Sequence, residues 1–167
     1  AIWALTELIE AVARSGRPHS PGDALERIAE TTRAAGTDWA LGIEARARAL
    51  LSNGDEAEVH YREAIERLGR TRLRVDLARA HLLYGEWLRR QRRRVDARKH
   101  LRTALEMFTS MGAEAFARRA ERELSATGES VRKRTVETRD ELTTQEAQVA
   151  RLQAELGKTH DHLEAVS

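Results

Sequence analysis

The sequence predicts an all-α protein, a right-handed array of antiparallel helical hairpins. Three observations lead there. Ala, Leu, Arg and Glu dominate, with only two prolines and 4% aromatics, and these four residues are strong helix formers. No run of β-branched and aromatic residues alternates with polar ones between turn residues, so strands are not expected. Apolar residues instead recur at the spacing of one helix face, in stretches parted by short turns. The chain's 167 residues correspond to one domain with a small appendage, long enough to bury a core without covalent staples.

The elements follow in order. Leu5, Leu8, Ile9 and Val12 share one face of a first helix, which breaks at Ser15-Gly16-Arg17-Pro18. A second starts with Ser20 as N-cap, Pro21 at the first position and Asp23 in the first turn, a favourable order of residues. It carries Leu25, Ile28 and Ala29 and ends near Gly36. A third helix runs from about Asp38 to Leu51, with Trp39, Ile43 and many alanines, and Asn53-Gly54 stops it. Asp55 and Glu58 resemble a capping box for a fourth helix ending near Leu68. Gly69-Arg70-Thr71 breaks the chain again. Three further helices are expected over about 75–90, 95–108 and 114–126, and Gly128 ends the last.

A repeat is visible in these helices. Ala57, Tyr61, Ala64, Ile65 and Leu68 recur as Ala97, Leu101, Ala104, Leu105 and Phe108, each 40 positions later (57 to 97, for example). In the preceding helices Ala45 matches Gly85 as a small residue, but Arg48 stands where Leu88 is apolar. Small residues let paired helices approach, and the large residue between two alanines fills the space where the next helix packs. A hairpin of this kind cannot bury its own apolar face, so hairpins stack.

Gly85, Leu88, Ala97, Leu101 and Ala104 resemble the tetratricopeptide pattern of Gly, large apolar, Ala, large apolar, Ala. The period is longer than the standard repeat, so the array is a degenerate solenoid of that type. LLYGEWLRR (82–90), RRVDARKHLRTALEMF (93–108) and ARRAERELSATGE (117–129) resemble the helical repeat region of large ATP-dependent regulators of the LuxR family. The resemblance implies a repeat domain over 1–128, a basic linker over 129–140, and the start of a C-terminal helix-turn-helix domain over 141–167.

In that family a Leu-Thr-x-x-Glu segment opens the DNA-binding domain, and ELTTQEAQVARL (141–152) matches it. Thr143 caps the helix in this reading and Glu146 returns the bond. The next residues depart from the family, and the chain ends before its recognition helix. An alternative is one continuous terminal helix. Leu142, Val149, Leu156 and Leu163 form a partial coiled-coil seam that would serve self-association.

No cysteine is present, which excludes disulfides and Cys-based metal or redox sites and suits a reducing cytoplasm. No apolar run is long enough to span a membrane, and no signal peptide opens the chain. AIWALTELIE begins inside a helical pattern without an initiator Met, so a longer parent polypeptide is expected. A net charge of +2 implies no molecule-wide attraction to nucleic acid. Arg92, Arg93 and Arg94, in the run 89–94, are the candidates for phosphate contacts. They lack interleaved aromatics and fall at a hairpin corner, where a solvated structural role is favoured. Gly157-Lys158-Thr159 is no phosphate loop, because Leu152 stands where its first glycine belongs. His160 and His162 point away from each other on a helix and make no metal site. Trp3, Trp39 and Trp87 are expected in helix packing, and Glu44, Glu63 and Glu114 as solvated charges.

No catalytic constellation is visible, and no enzyme activity, cofactor or metal is expected. The ATP site that the resemblance implies would lie upstream. The expected function is an interaction and signal-transmission region that receives a protein or effector, with DNA contacted only through the parent protein. A stand-alone interaction or self-association module is the first alternative, and direct DNA binding through the C-terminal segment the second.

Overall fold

A computed structural model describes residues 2–15 and 22–129. The chain divides into two units, Ala1–Ser130 and Val131–Ser167, and all described residues belong to the first. The Trp3 side chain, the Ser20–Pro21 helix start, the linker from Ser130 onward, Thr143, Glu146, the terminal seam and the two late histidines lie outside the described residues. Within them the fold is all-helical: α1 (Ile2–Ser15), α2 (Gly22–Ala35), α3 (Asp38–Leu51), α4 (Gly54–Gly69), α5 (Arg74–Arg90), α6 (Arg94–Ser110) and α7 (Glu114–Ala126). Antiparallel hairpins α1/α2, α3/α4 and α5/α6 follow one another, and α7 closes the series against α6.

Small residues set the spacing. A Cβ on Gly85 would lie 2.7 Å from Leu101 Cγ and 3.3 Å from the Ala97 carbonyl oxygen, so α5 and α6 approach to a distance only glycine permits. In the hairpin before it, the corresponding contact is not at Ala45. It falls one turn earlier, at Gly42, where a Cβ would lie 2.7 Å from Leu68 Cγ. Gly42 is near the start of α3 and Gly85 near the end of α5, so the two hairpins are tightest at opposite ends. This is a physical reason for the imperfect repeat. Arg48 departs from the pattern of Leu88 because it stays a third exposed and pairs with Glu44 at 2.5 Å, whereas Leu88 is fully buried.

The core runs along the array. Ile9, Ala24, Ile28 and Ala47 form a cluster between α1, α2 and α3, flanked by Leu5, Leu25, Leu50 and Leu51. Leu8, expected on that face, is 51% exposed. Tyr61 and Phe108 are the largest fully buried side chains, each stabilising the fold by roughly 1.5–3 kcal/mol through burial. α5 is the central helix, with Leu77 through Leu88 buried except for His81. α7 buries only Ala120 and Leu124, as suits the last helix of a series.

Two hairpin turns share one geometry. Arg93 N donates to Leu88 O after Arg92 in the left-handed region (φ 62°), and Ala113 N donates to Phe108 O after Gly112 (φ 68°). This 6→1 bond after a left-handed residue is the Schellman closure. Glycine suits the left-handed position, and Arg92 holds it at a steric cost. The start of α4 also differs from expectation. Its N-cap is Asn53, without a side-chain bond, and Glu58 does not fold back to the helix start. Its carboxylate accepts from Arg93 (2.6 Å), Arg62 (2.7 Å) and Tyr84 Oη (2.8 Å), which are stronger partners than a backbone amide. The side-chain cap that does form is Thr37 Oγ1, accepting from Ala40 N at the start of α3.

Candidate binding site on the inner face

The odd-numbered helices turn one set of side chains toward each other, and several of these are charged. Glu10 on α1 is 4% exposed. Its Oε2 accepts from Arg79 on α5 at 2.5 Å and its Oε1 from Arg119 on α7 at 2.8 Å. Arg119 also forms a fork to Glu86 on α5, at 2.7 and 2.9 Å. Arg79 reaches Glu7 as well and lies over the Phe116 ring at 5.4 Å. Three helices distant in sequence are thus joined through one buried carboxylate.

Burial opposes ionisation of Glu10, but hydrogen bonds and charge from Arg119 and Arg79 outweigh it and hold its pKa below the usual carboxylate value. The same carboxylates raise Arg79 and Arg119 against the effect of burial. Beside this network Asp76 accepts from Trp39 Nε1 at 2.9 Å and from Arg46 at 3.4 Å, tying α3 to α5. Glu44 is a further correction to the expectation of solvated charge. It is 4% exposed and bound to Thr32 on α2 and to Arg48. Glu63 and Glu114 do sit at the surface, paired with Arg67 and Arg118.

A cavity of about 560 Å³ opens beside the network, bounded by α1, α3, α4, α5 and α7. Glu86 and Arg119 contribute to its wall together with Tyr61, Trp87, Arg90 and Glu123. Tyr61 stacks on Tyr84 with centroids 5.2 Å apart and lies 5.8 Å from the Trp87 ring. Burial raises the Tyr61 phenol well above its ordinary pKa, so it stays a neutral donor. No family model, curated protein or solved structure matches the chain.

The residues singled out by the repeat meet in the core. Ala57, Ala64, Leu88, Ala97, Leu101 and Ala104 are 0% exposed and Tyr61 1%, and Gly85 is buried with them. Tyr61 alone of these also lines the cavity.

The arginine run does not form one patch. Arg89 pairs with Glu123 at 2.7 Å, Arg90 lines the cavity, and Arg93 is held by Glu58 and Asp96. Arg92 and Arg94 remain exposed. Farther along, Arg98 binds the Thr127 carbonyl oxygen and Arg102 binds Glu129.

Sequence reasoning missed Glu10, Arg79, Glu86 and Arg119. A signal was present. Arg79 and Glu86 are seven apart, on one face of a helix whose other central positions, His81 apart, are apolar, aromatic or small, and charges so placed need buried partners. A second missed feature is the pair His81–His100, with Nδ1 atoms 2.9 Å apart across α5 and α6. Burial and the neighbouring ring lower His81 to about 4, and burial also lowers His100. One neutral ring donates to the other. Among the described residues no group of three or more metal-ligating side chains forms, and no helix is long and apolar enough to cross a membrane.

Proposed function

We propose that this chain is the helical-repeat interaction and signal-transmission region of a LuxR-type transcriptional regulator, a non-catalytic module that receives an effector or protein partner on its inner face. The resemblance of 82–108 and 117–129 to that family supports the parentage. The observation that carries the transmission role is the Glu10 carboxylate, which binds Arg79 and Arg119 at once. A ligand that moves α1 or α5 displaces a charge held by α7, the helix that leads into the linker and the 141–167 segment. Buried ion pairs have discrete partners, so such a contact shifts between arrangements rather than deforming smoothly.

Two results test this reading. Fluorescence anisotropy with duplex DNA should show no binding, or sequence-blind binding lost as salt rises; sequence-specific binding by this chain would contradict it. The gene on either side should encode an upstream phosphate-binding loop and a downstream Ser-x-x-Thr-Val-x-x-His helix. Absence of both would remove the LuxR parentage and leave a stand-alone repeat protein.

A further inference from the structure

His81 and His100 meet where α5 and α6 approach closely. One turn after His81 stands Gly85, whose missing side chain admits Leu101, the neighbour of His100. Leu82, Ala97 and Leu101 are buried around the pair, so the two backbones are held at a fixed separation there. The Nδ1 atoms of the rings lie 2.9 Å apart and their centroids 5.2 Å. The difference is taken up by the two centre-to-nitrogen distances laid end to end, so the nitrogens face each other head-on. A metal ion held about 2.0–2.1 Å from each nitrogen needs lone pairs that converge from one side. These point at one another and leave it no room, whereas a proton fits.

The number of protons decides whether the contact survives. A neutral imidazole has one N–H and one bare nitrogen. With one proton between the facing atoms, the donating ring has a bare Nε2 and the accepting ring carries its own proton on Nε2. A first added proton enters the bare Nε2, and the bond persists in charge-assisted form. A second has only the accepting Nδ1 left. Two N–H groups would then face each other at 2.9 Å, each on a positive ring. Such a pair titrates as a unit, in two steps.

The surroundings oppose the doubly charged state. Arg74 on α5 acts on His81, and Arg62 on α4 and Lys99 on α6 act on His100. The carboxylates nearby are already engaged: Glu58 on α4 by Arg93, Arg62 and Tyr84, and Asp96 on α6 by Arg93. Among these groups no carboxylate is free to neutralise a second imidazolium. The Tyr84 ring packs on His100, centroids 4.4 Å apart, and limits its rotation.

We infer that His81 and His100 form a proton-operated clasp: one shared proton locks α5 to α6, and the second added proton parts them, so this hairpin opens before the α3/α4 hairpin as pH falls. The clasp lies away from the inner-face cavity and does not rest on the proposed function.

Two measurements on the whole chain test it. In nitrogen-labelled histidine, a nitrogen–nitrogen scalar coupling should join the two Nδ1 atoms at neutral pH, with the resonances assigned from His81→Gln and His100→Gln. Amide exchange is then followed from neutral to about pH 4.5 as protection factors, which remove the intrinsic effect of pH. Protection beside the pair in α5 and α6 should fall about tenfold more than in the α3/α4 hairpin. Combining His81→Gln with His100→Gln should abolish that excess, because two amides hydrogen-bond at either pH. Absence of the coupling at neutral pH overturns the shared proton. Coupling with an equal loss of protection in both hairpins overturns the clasp and leaves a structural hydrogen bond. An excess that survives in the double variant also overturns it, by assigning the opening to other groups. Should the double variant fail to fold, the coupling and the comparison of hairpins in the natural chain still decide.

Discussion

Glu10→Gln is the sharpest perturbation of the inner face. It preserves shape while removing the charge that two arginines share. Both contacts are short, at 2.5 and 2.8 Å, and the carboxylate side chain is only 5% exposed. Removing one partner from a buried ion pair costs about 3–5 kcal/mol when the other is left uncompensated. Here Arg119 keeps Glu86 and Arg79 keeps Glu7, so the loss falls toward the charge-assisted hydrogen bonds alone, roughly 1.5–3 kcal/mol for each. Glutamine retains one acceptor, but its amide N–H₂ faces an arginine donor. The expected destabilisation is therefore about 3 kcal/mol, a fall in Tm of roughly 10 °C for a domain of this size. Thermal unfolding followed by circular dichroism at 222 nm measures it, with Glu106→Gln on the exposed side of α6 as the control. A loss below about 1 kcal/mol, or one equal to the control, would refute the idea that this carboxylate holds the helices together.

Other changes have equally definite outcomes. Gly85→Ala should destabilise by about 1–3 kcal/mol through overpacking, despite alanine's better helix propensity, because the added carbon meets the fully buried Leu101; urea unfolding reads this directly. Arg92→Gly should stabilise by about 0.5–1 kcal/mol, because the position is left-handed and glycine adopts it without strain; an unchanged midpoint would argue against strain there. Acid should destabilise the fold between pH 6.5 and about 4. In that window His81 is protonated in the unfolded chain, with an ordinary value of 6.5, but not in the fold, where it lies near 4. The unfolded state then binds more protons, so stability falls with pH, by on the order of 3 kcal/mol at full loss. The lowered Glu10 acts in the same sense below its ordinary 4.5, and His81→Gln should flatten only the upper part of the profile of Tm against pH.

Much of the fold was legible because helix periodicity and turn residues are local signals. The Ala57/Ala97 and Tyr61/Leu101 correspondences are two-residue facts, and their burial follows from spacing alone. The close approach at Gly42 was not legible. It depends on where along the hairpin the two helices converge, which no single helix records. The cap at Glu58 was misread for a related reason: Arg93, 35 residues away, outcompetes a neighbouring amide. Glu44 read as a surface charge in isolation and Glu10 drew no notice, since Thr32, Arg79 and Arg119, which bind them, lie on other helices. Only α5 carried a hint of the site, with Arg79 and Glu86 set in an otherwise apolar run. The cavity was invisible to sequence because its wall is assembled from α1, α3, α4, α5 and α7, and which residues of five helices share one wall is a property of the folded chain.

Amide hydrogen exchange in α7, Glu114–Ala126, compared between the natural chain and Glu10→Gln, tests the transmission claim most directly. The substitution lies in α1, more than a hundred residues away in sequence, and is bonded to α7 through Arg119. The account predicts faster exchange in α7 and α1, with the α3/α4 hairpin amides little changed. Unchanged exchange in α7 would mean that the shared carboxylate couples nothing, and would contradict it.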